Sequence, residues 1–288
     1  MIYLDGKSLS QSLLDDLKSR VQAFKKKHSF VPGLAVFLVG EDLASEIYVK
    51  QKIKQCSFVG FHSLLKKFPA DIKTSDLKKE IEKLNQDARF HGILIQLPLP
   101  SSLKESLVLS WLDPRKDVDG LTLENKALLW SGQKRVVPCT PLGIIQLLKH
   151  YQIPLEGQKV VVVGRSQIVG LPMVQQLLSY QATVTICHSK TQNLKQECLL
   201  ADIVISCAGK KSLLNKDFFK KGAVVVDVGI HREIKDGKTF LKGDVNAEGL
   251  EGHLKALSPV PKGVGPMTIA MLLENTFQLA ELSLKENQ

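Results

Sequence analysis

The sequence predicts an α/β protein with mostly parallel sheets, divided into two domains. Segments with strand and helix patterns alternate along almost the whole chain, as they do in repeated strand–helix–strand units. A run of valines, Val160–Val163, leads through Gly164 into a helical segment that starts near Gly170. A chain of 288 residues is long enough for two domains of ordinary size.

The first half is predicted to contain strands connected by helices. An apolar strand, Leu34–Val39, lies between two glycines, and a helix over Asp42–Phe58 follows it. A second strand covers Phe61–Phe68, and the helical spacing of apolar residues predicts a helix over Ser75–Phe90. The third strand, Gly92–Leu97, is stopped by the proline that follows it.

The second half begins with a helix and continues as a doubly wound unit. Thr140 suits the N-cap and Pro141 the first position of a helix that runs to about Tyr151. The order of the segments after this helix is typical of a dinucleotide-binding fold. These segments are strand Val160–Val163, helix Val169–Tyr180, strand Ala182–Cys187, helix Gln192–Leu199, strand Asp202–Cys207, strand Ala223–Val228 and a last helix from Pro266 to about Leu284.

Composition limits the class of protein. The net charge of +10 invites a nucleic-acid interpretation, but the lysines are scattered and equally suit small anionic substrates, so we expect no nucleic acid. No apolar run approaches the roughly 20 residues that span a bilayer, and the N-terminus does not resemble a secretory signal. The five cysteines form no Cys-x-x-Cys pair, so we expect reduced thiols and no zinc site. A cytoplasmic location without membrane contact follows.

The turn after the valine strand is a candidate nucleotide site. Gly164 ends the strand and Gly170 enters the helix, so the backbone can approach a pyrophosphate near a helix N-terminus. Ser166 stands where the usual Gly-x-Gly-x-x-Gly pattern has its second glycine. The alternative interpretation is a plain tight turn in a doubly wound sheet.

The next strand indicates which dinucleotide binds. Domains that prefer NAD usually end this strand with Asp or Glu, which accepts hydrogen bonds from the ribose hydroxyls. Here the strand ends in Cys187-His188-Ser189-Lys190, and Arg165, Ser189 and Lys190 suit a 2′-phosphate instead. We therefore predict NADP, and we interpret His188 as a hydrogen-bonding or structural residue rather than a proton carrier.

A second set of residues has the character of a catalytic site. Tyr48 and Lys52 are four residues apart and share one helix face, although a lysine considered alone is most often a surface cation. Gln96 ends a buried strand, where a polar side chain needs a partner and where α/β sheets place ligands. The acidic segment Lys116–Gly120 is either part of this site or a solvated turn.

Taken together, these segments resemble the bifunctional methylenetetrahydrofolate dehydrogenase/methenyltetrahydrofolate cyclohydrolase family. The matching motifs occur in the family's order and cover nearly the whole chain. They are Ser45–Lys52, Gly92–Pro100, Lys116–Gly120, Pro138–Pro141, Gly164–Gly170 and Gly263–Thr268.

The resemblance implies two reactions in one cleft between two domains. A hydride passes from 5,10-methylenetetrahydrofolate to NADP⁺, and water then opens the resulting methenyl cation to 10-formyltetrahydrofolate. The implied fold has an N-terminal three-layer α/β folate domain, residues 1–139 plus 266–288, which the C-terminal helix completes. The Rossmann-like NADP domain is residues 140–265, and the family is usually a homodimer.

The resemblance also implies roles for individual residues. Lys52 is expected to be the central catalytic residue of the cyclohydrolase step, Gln96 to hold it, Tyr48 to stack on the folate and Asp119 to bind the pterin ring. The implied cofactor contacts are Gly164, Arg165, Ser166, Ser189 and Ile230, and further substrate contacts are Leu97, Pro261 and Gly263. A lysine can carry a proton near neutral pH only if its pKa is lowered, and the pterin edge offers donors that a carboxylate can accept.

One position departs from the family pattern. The family reads Pro-Val-Pro-Gly-Gly-Val-Gly-Pro-Met-Thr, whereas Lys262 replaces the first glycine of the pair here. If that glycine needs a positive φ, a lysine costs roughly 1 kcal/mol or more. The substitution therefore affects either the folate geometry or the attraction of the anionic glutamate tail.

Three other functions compete with the bifunctional enzyme. The first is a dehydrogenase of the same fold whose cyclohydrolase activity is weak because of Lys262. A basic nucleic-acid-binding protein is the second, and it predicts steep salt dependence of DNA binding. A two-domain NADP oxidoreductase of the shikimate dehydrogenase type is the third, and it leaves Tyr48, Lys52, Gln96 and Asp119 without a common role.

Overall fold

The chain forms two compact units, each made of two separate stretches. A computed structural model describes residues 1–235 and 238–286. The six-stranded unit contains Met1–Ser10 and Thr140–Thr268, and the three-stranded unit contains Gln11–Cys139 and Ile269–Gln288. The first ten residues thus lie with the nucleotide-type sheet, whereas the boundary drawn from the sequence places them in the other domain.

The helices and strands follow the predicted alternation. The strands are β1 (Ile2–Tyr3), β2 (Gly33–Val39), β3 (His62–Phe68), β4 (Gly92–Ile95), β5 (Lys159–Val163), β6 (Thr183–Cys187), β7 (Ile203–Ser206), β8 (Val224–Asp227), β9 (His231–Lys235), β10 (Lys238–Lys242) and β11 (Ala256–Leu257). The helices are α1 (Gly6–His28), α2 (Leu43–Val59), α3 (Thr74–Asn85), α4 (Glu105–Leu109), α5 (Leu123–Trp130), α6 (Cys139–His150), α7 (Gly170–Ser179), α8 (Leu194–Leu200) and α9 (Val264–Glu286), with a 3₁₀ turn at Lys216–Phe218.

The six-stranded unit is a parallel, doubly wound sheet. Its strand order is β1-β11-β8-β7-β5-β6, and β9 and β10 form a separate antiparallel hairpin. The chain passes from β5 to β6 at one edge and then returns to place β7 on the other side of β5. The carboxyl ends of β5 and β7 therefore lie where the strand order reverses, which is where open α/β sheets bind ligands.

The three-stranded unit is built on a parallel sheet of order β3-β2-β4. The central strand β2 is buried along its whole length, in keeping with its unbroken apolar sequence. Helix α3 packs its apolar face, which includes Leu77 and Ile81, on the sheet beside Phe37. Helix α2 starts at a cap in which Asp42 Oδ2 accepts from the Ser45 backbone N–H at 2.7 Å.

Helices α3 and α6 differ from the sequence prediction at their ends for reasons that the contacts show. Helix α3 stops at Asn85 instead of Phe90, because the Asn85 amide donates to the Trp111 carbonyl at 2.7 Å and accepts from the Asp113 N–H at 3.0 Å. Helix α6 starts at Cys139, so Thr140 is not its N-cap. The Thr140 hydroxyl instead lies 3.0 Å from the hydroxyl of Thr268.

Helix α1 was not predicted, although its sequence carries the signal for it. Leu14, Leu17, Val21 and Phe24 recur at helical spacing and are all buried. Across residues 1–235 and 238–286, no helix is both long and apolar enough to span a membrane.

Candidate active site

Elements of the three-stranded unit bring the first set of predicted residues together. Lys52 lies on α2, and Gln96 directly follows β4. Residues 116–118 then run beside β4, where the Ile93 N–H donates to the Lys116 carbonyl at 2.7 Å and Ile93 pairs with Asp117 as an isolated bridge. This pairing delivers Asp119 to the same end of the sheet.

The side chains of Lys52 and Gln96 are hydrogen-bonded. Lys52 Nζ lies 2.9 Å from Gln96 Oε1, and Gln96 Nε2 donates to the Leu97 carbonyl at 2.7 Å. The second bond fixes which end of the Gln96 amide faces the lysine. Lys52 is only 8% exposed, whereas Lys50 and Lys54 on the same helix are exposed.

Burial and opposite charge shift the pKa values of this site. Burial lowers the pKa of Lys52, because the ammonium loses its water, and the Asp119 carboxylate opposes this shift only in part. Burial raises the pKa of Asp119, while Lys52 and the Cys139 thiol lower it. The two groups therefore stabilise each other's charged forms in a site that disfavours both charges.

Cys139 belongs to this cluster, although the sequence alone indicated only its place in a motif. Its buried thiol lies 3.6 Å from the Val118 carbonyl oxygen and also donates to the Asp119 carboxylate. Burial, and after it Asp119, raises the pKa of Cys139 well above its usual range, so the thiol stays protonated and can donate. Among the described residues, no group of three or more His, Cys, Asp or Glu side chains is placed to hold a metal ion.

The acidic segment divides into structural and site residues. The Asp117 carboxylate is buried and accepts from the Thr122 N–H at 2.7 Å and from Asn125 Nδ2 at 3.0 Å. Lys116 Nζ donates to two backbone carbonyls, those of Leu84 at 3.1 Å and Asp87 at 2.8 Å. These two side chains hold the loop, and the next carboxylate, that of Asp119, faces Lys52.

The remaining predicted substrate contacts are divided between the two units of the chain. Tyr48 lies one turn before Lys52 on α2, and burial raises the pKa of its hydroxyl. Leu97 is partly buried and precedes a cis peptide bond to Pro98. Pro261 is exposed and Gly263 is buried, and both lie in the six-stranded unit.

The turn after β5 has the geometry expected of a phosphate-binding loop. Gly164 has a φ of +126°, and a Cβ there would stand 2.3 Å from the Cys207 carbonyl oxygen, which follows β7. A Cβ at Gly170 would stand 2.2 Å from the Gly164 carbonyl oxygen. Ser166 Oγ accepts from the N–H of Val169 at 3.2 Å and of Gly170 at 3.4 Å. The two glycines close the turn, while Arg165 and Ser166 remain exposed.

The other predicted cofactor residues lie at the ends of neighbouring strands. Ser189 and Lys190 follow β6 and are exposed, and Ile230 follows β8 with 42% of its surface exposed. The His188 N–H donates to Thr191 Oγ1 at 2.8 Å, and His188 Nδ1 accepts from the Lys190 N–H at 3.1 Å. His188 therefore shapes this turn, in agreement with a structural role.

Comparisons with known proteins agree with this architecture. One family model, the tetrahydrofolate dehydrogenase/cyclohydrolase catalytic domain, matches residues 4–119. A second, the NAD(P)-binding domain of the same family, matches residues 138–284. A bifunctional protein FolD from Bdellovibrio bacteriovorus is 48% identical over 288 residues, which is 100% of this chain and 99% of that protein.

Solved structures give the same result. The bifunctional FolD enzyme of Campylobacter jejuni has a TM-score of 0.93 and 45% identity, with 98% of this chain and 99% of that chain covered. The FolD structure of Trypanosoma brucei, complexed with NADP cofactor and inhibitor, has a TM-score of 0.96 and 32% identity, with 99% of each chain covered. A shikimate dehydrogenase of Aquifex aeolicus shares the fold alone, at 14% identity and a TM-score of 0.53.

The fold, the buried lysine site and the glycine turn define a two-domain enzyme with a nicotinamide-dinucleotide domain, and the chain belongs to the tetrahydrofolate dehydrogenase/cyclohydrolase family. The predicted family and fold class are confirmed. The protein is a bifunctional enzyme of folate one-carbon metabolism, a methylenetetrahydrofolate dehydrogenase and methenyltetrahydrofolate cyclohydrolase. The matched NAD(P)-binding domain shows that the cofactor is a nicotinamide dinucleotide, and NADP is the cofactor in the Trypanosoma brucei structure.

Proposed function

We propose that Lys52 is the proton carrier of the cyclohydrolase step. The observation that carries this proposal is a buried amine, bonded to Gln96 at 2.9 Å, whose pKa is lowered by burial. A larger fraction of this lysine is neutral near pH 7 than for an exposed lysine, so it can accept a proton. The cationic methenyl substrate lowers the same pKa further, because like charges disfavour the ammonium.

The proton path follows from this chemistry. The neutral Lys52 amine accepts a proton from the water that attacks the methenyl carbon. The resulting ammonium donates to N5 of the pterin as the bond between that carbon and N5 breaks, which leaves the formyl group on N10. This donation regenerates the neutral amine, and the second proton from water leaves to solvent from the hydroxyl of the intermediate as the formyl C=O forms.

The neighbouring residues hold the reacting groups in place. Gln96 accepts from Lys52 Nζ and is itself fixed by the Leu97 carbonyl, so the amine points in one direction. Tyr48 lies one turn away on the same helix and offers its ring for stacking on the folate. Asp119 accepts hydrogen bonds from the amino and amide edge of the pterin, with the Cys139 thiol supporting its carboxylate. Leu97, Pro261 and Gly263 complete the proposed substrate contacts.

The turn after β5 holds the dinucleotide through its backbone. The residues present fit this group, since a side chain at Gly164 or Gly170 would collide with backbone oxygens and the residues between them are accessible. When bound, the dinucleotide accepts the hydride from methylenetetrahydrofolate. Gly164, Ser166 and Ile230 contact it, while Arg165 and Ser189 bind the 2′-phosphate and so select NADP over NAD, because no acid follows β6. A lower Michaelis constant for NAD than for NADP would contradict this selection.

We also propose a homodimer in the cytoplasm. Tyr3 and Leu241 are exposed apolar residues of the six-stranded unit, and both line one cavity of about 300 Å³. Such a patch is suited to burial against a second copy. The five free cysteines suit a reducing compartment. We further propose that residues 1–139 plus 266–288 form the folate-binding domain and that residues 140–265 form the NADP-binding domain.

A paired optical assay tests the proposed chemistry. Wild-type enzyme and Lys52→Met receive methylenetetrahydrofolate with NADP⁺ and then with NAD⁺, while reduced nicotinamide and the methenyl intermediate are followed together. We expect the wild type to reduce the nicotinamide with little methenyl build-up. In Lys52→Met we expect the methenyl compound to accumulate, because the variant lacks the group that moves the proton.

The outcomes separate the competing functions. Formation of 10-formyl product by Lys52→Met above the spontaneous rate would refute the role of Lys52. Methenyl build-up in the wild type would indicate a dehydrogenase whose second step is impaired, and would direct attention to Lys262. A wild type that reduces neither cofactor would contradict the bifunctional assignment itself.

A further inference from the structure

A buried asparagine on the C-terminal helix contacts the loop that carries the proposed pterin-binding carboxylate and the loop just before its thiol partner. Asn275 is 1% exposed on α9. Its Nδ2 lies 2.8 Å from the Val118 carbonyl oxygen and 2.9 Å from the Val137 carbonyl oxygen. The same nitrogen lies 3.6 Å from Cys139 Sγ.

The chemistry of these contacts fixes the orientation of the amide. Two carbonyl oxygens can only accept, so the end of the side chain that faces them must be the NH₂ group with its two donor hydrogens. Val118 directly precedes Asp119, and Val137 lies two residues before Cys139. One side chain therefore holds the backbone beside Asp119 and the backbone beside the thiol that donates to Asp119.

We infer that Asn275 is a positioning residue for the folate site, acting through Asp119. The inference rests on the proposed role of Asp119. Asn275 falls within the segment matched by the NAD(P)-binding domain of the family, residues 138–284, yet its side-chain contacts lie in the loops around Lys52. Its removal should consequently weaken folate binding and leave NADP binding unchanged.

The test compares Asn275→Leu with a matched substitution at the next residue. Thr276 is also fully buried on α9, but its hydroxyl donates to the Leu272 carbonyl within the helix, so Thr276→Val removes a buried polar group without removing a hydrogen bond to either loop. We expect the Michaelis constant for methylenetetrahydrofolate to rise about tenfold or more in Asn275→Leu, because small misplacements of binding groups have large effects. We expect it to stay at the wild-type value in Thr276→Val, and the constant for NADP to stay unchanged in both.

A double variant distinguishes action through Asp119 from a general loss of structure. If Asn275 acts through Asp119, Asp119→Ala/Asn275→Leu has the same folate constant as Asp119→Ala alone. A melting temperature measured on each variant sets an assay temperature at which all are folded, and Asn275→Ser, which keeps a short donor, replaces Asn275→Leu if the latter does not fold.

Each outcome supports or overturns the inference. A raised folate constant in the Asn275 variant alone, with no further rise in the double variant, supports it. An unchanged folate constant, an equal rise in Thr276→Val or an additive rise in the double variant overturns it while leaving the role of Asp119 intact. An unchanged folate constant in Asp119→Ala itself overturns the proposed role of Asp119 and the inference together.

Discussion

The two candidate sites of this enzyme are built in opposite ways. The site around Lys52 consists of ionisable side chains withdrawn from water, and burial shifts the pKa values of Lys52, Asp119 and Cys139. The turn after β5 has its shape because Gly164 and Gly170 have no side chain that would collide with the backbone. The residues between these two glycines are mostly exposed. Proton transfer near neutral pH needs a lysine whose pKa lies below that of a lysine exposed to water. Pyrophosphate binding instead needs a backbone that the ligand can approach closely.

The glycine turn is the place where a small change should have the largest effect. In Gly164→Ala, the added Cβ would stand 2.3 Å from the Cys207 carbonyl oxygen, so the turn must move. We expect dehydrogenase activity to fall by about 100-fold or more, since a displacement of about 1 Å can cost that much. The cyclohydrolase, assayed with methenyltetrahydrofolate alone, should be retained.

Gly157→Ala is the matched control for this variant. Gly157 also has a positive φ, +72°, but a Cβ there meets nothing within 4 Å. It should lose about 1 kcal/mol of stability from backbone strain and keep its dehydrogenase activity. Equal losses of activity in the two variants would mean that strain, and not the shape of the turn, explains Gly164.

The pH dependence of the cyclohydrolase activity measures how far burial lowers the pKa of Lys52. The active form of Lys52 is the neutral amine, so the rate should rise with pH and level off at a lower pH than for an ordinary lysine. Gln96→Glu places a carboxylate against Lys52 Nζ, which favours the ammonium and raises the pKa. The rate near pH 7 should fall about tenfold for each unit by which that pKa rises.

The same substitution at an exposed position controls for added charge. Gln51 precedes Lys52 on α2 and is exposed, so Gln51→Glu should leave the pH profile unchanged. The profiles are measured with the spontaneous hydrolysis subtracted at each pH. Superimposable profiles for the wild type and Gln96→Glu would rule out a titrating Lys52.

Of two carboxylates in one loop, we expect Asp117 to affect the stability of the fold and Asp119 to affect folate binding. Asp117→Ala leaves the buried Thr122 N–H and one of the two Asn125 amide hydrogens without an acceptor and should lower the free energy of unfolding by about 2–4 kcal/mol. Asp119→Ala should instead raise the Michaelis constant for folate. Urea unfolding and steady-state kinetics on both variants check this, and a large loss of stability in Asp119→Ala alone would reverse the assignment.

The smallest expected effect concerns the departure from the family pattern. Lys262 has a φ of +89°, so the left-handed backbone suspected from the sequence is present. Lys262→Gly should raise the free energy of unfolding by about 1 kcal/mol, since glycine adopts this conformation without strain. Gln152→Gly, at a φ of +53°, should show a gain of the same kind with no effect on folate. An unchanged folate constant in Lys262→Gly would exclude a role of this lysine in binding.

Local sequence patterns predict most of the fold and part of the candidate site. The glycine turn, the Tyr48–Lys52 spacing and the polar end of the Gln96 strand are all visible in short stretches of sequence. Asn275 left no such signal, because its partner Val118 is 157 residues away and only the tertiary fold brings them together. The end of α3 differs from the prediction for the same reason, since the Asn85 side chain bonds to Trp111 and Asp113 across the loop. Helix α1, in contrast, carries a local signal in its helical spacing of buried apolar residues.

The division of the chain has a consequence for its synthesis. The three-stranded unit takes its final helix from the part of α9 that starts at Ile269, which is synthesised after the strands of the dinucleotide sheet. A nascent chain that ends near Cys139 already carries Lys52, Gln96 and Asp119, but the buried carbonyls of Val118 and Val137 still lack the Asn275 amide. Domains generally fold as units during synthesis, yet this one cannot be finished until α9 has been synthesised. The lysine site is therefore assembled only after the whole dinucleotide sheet has been made.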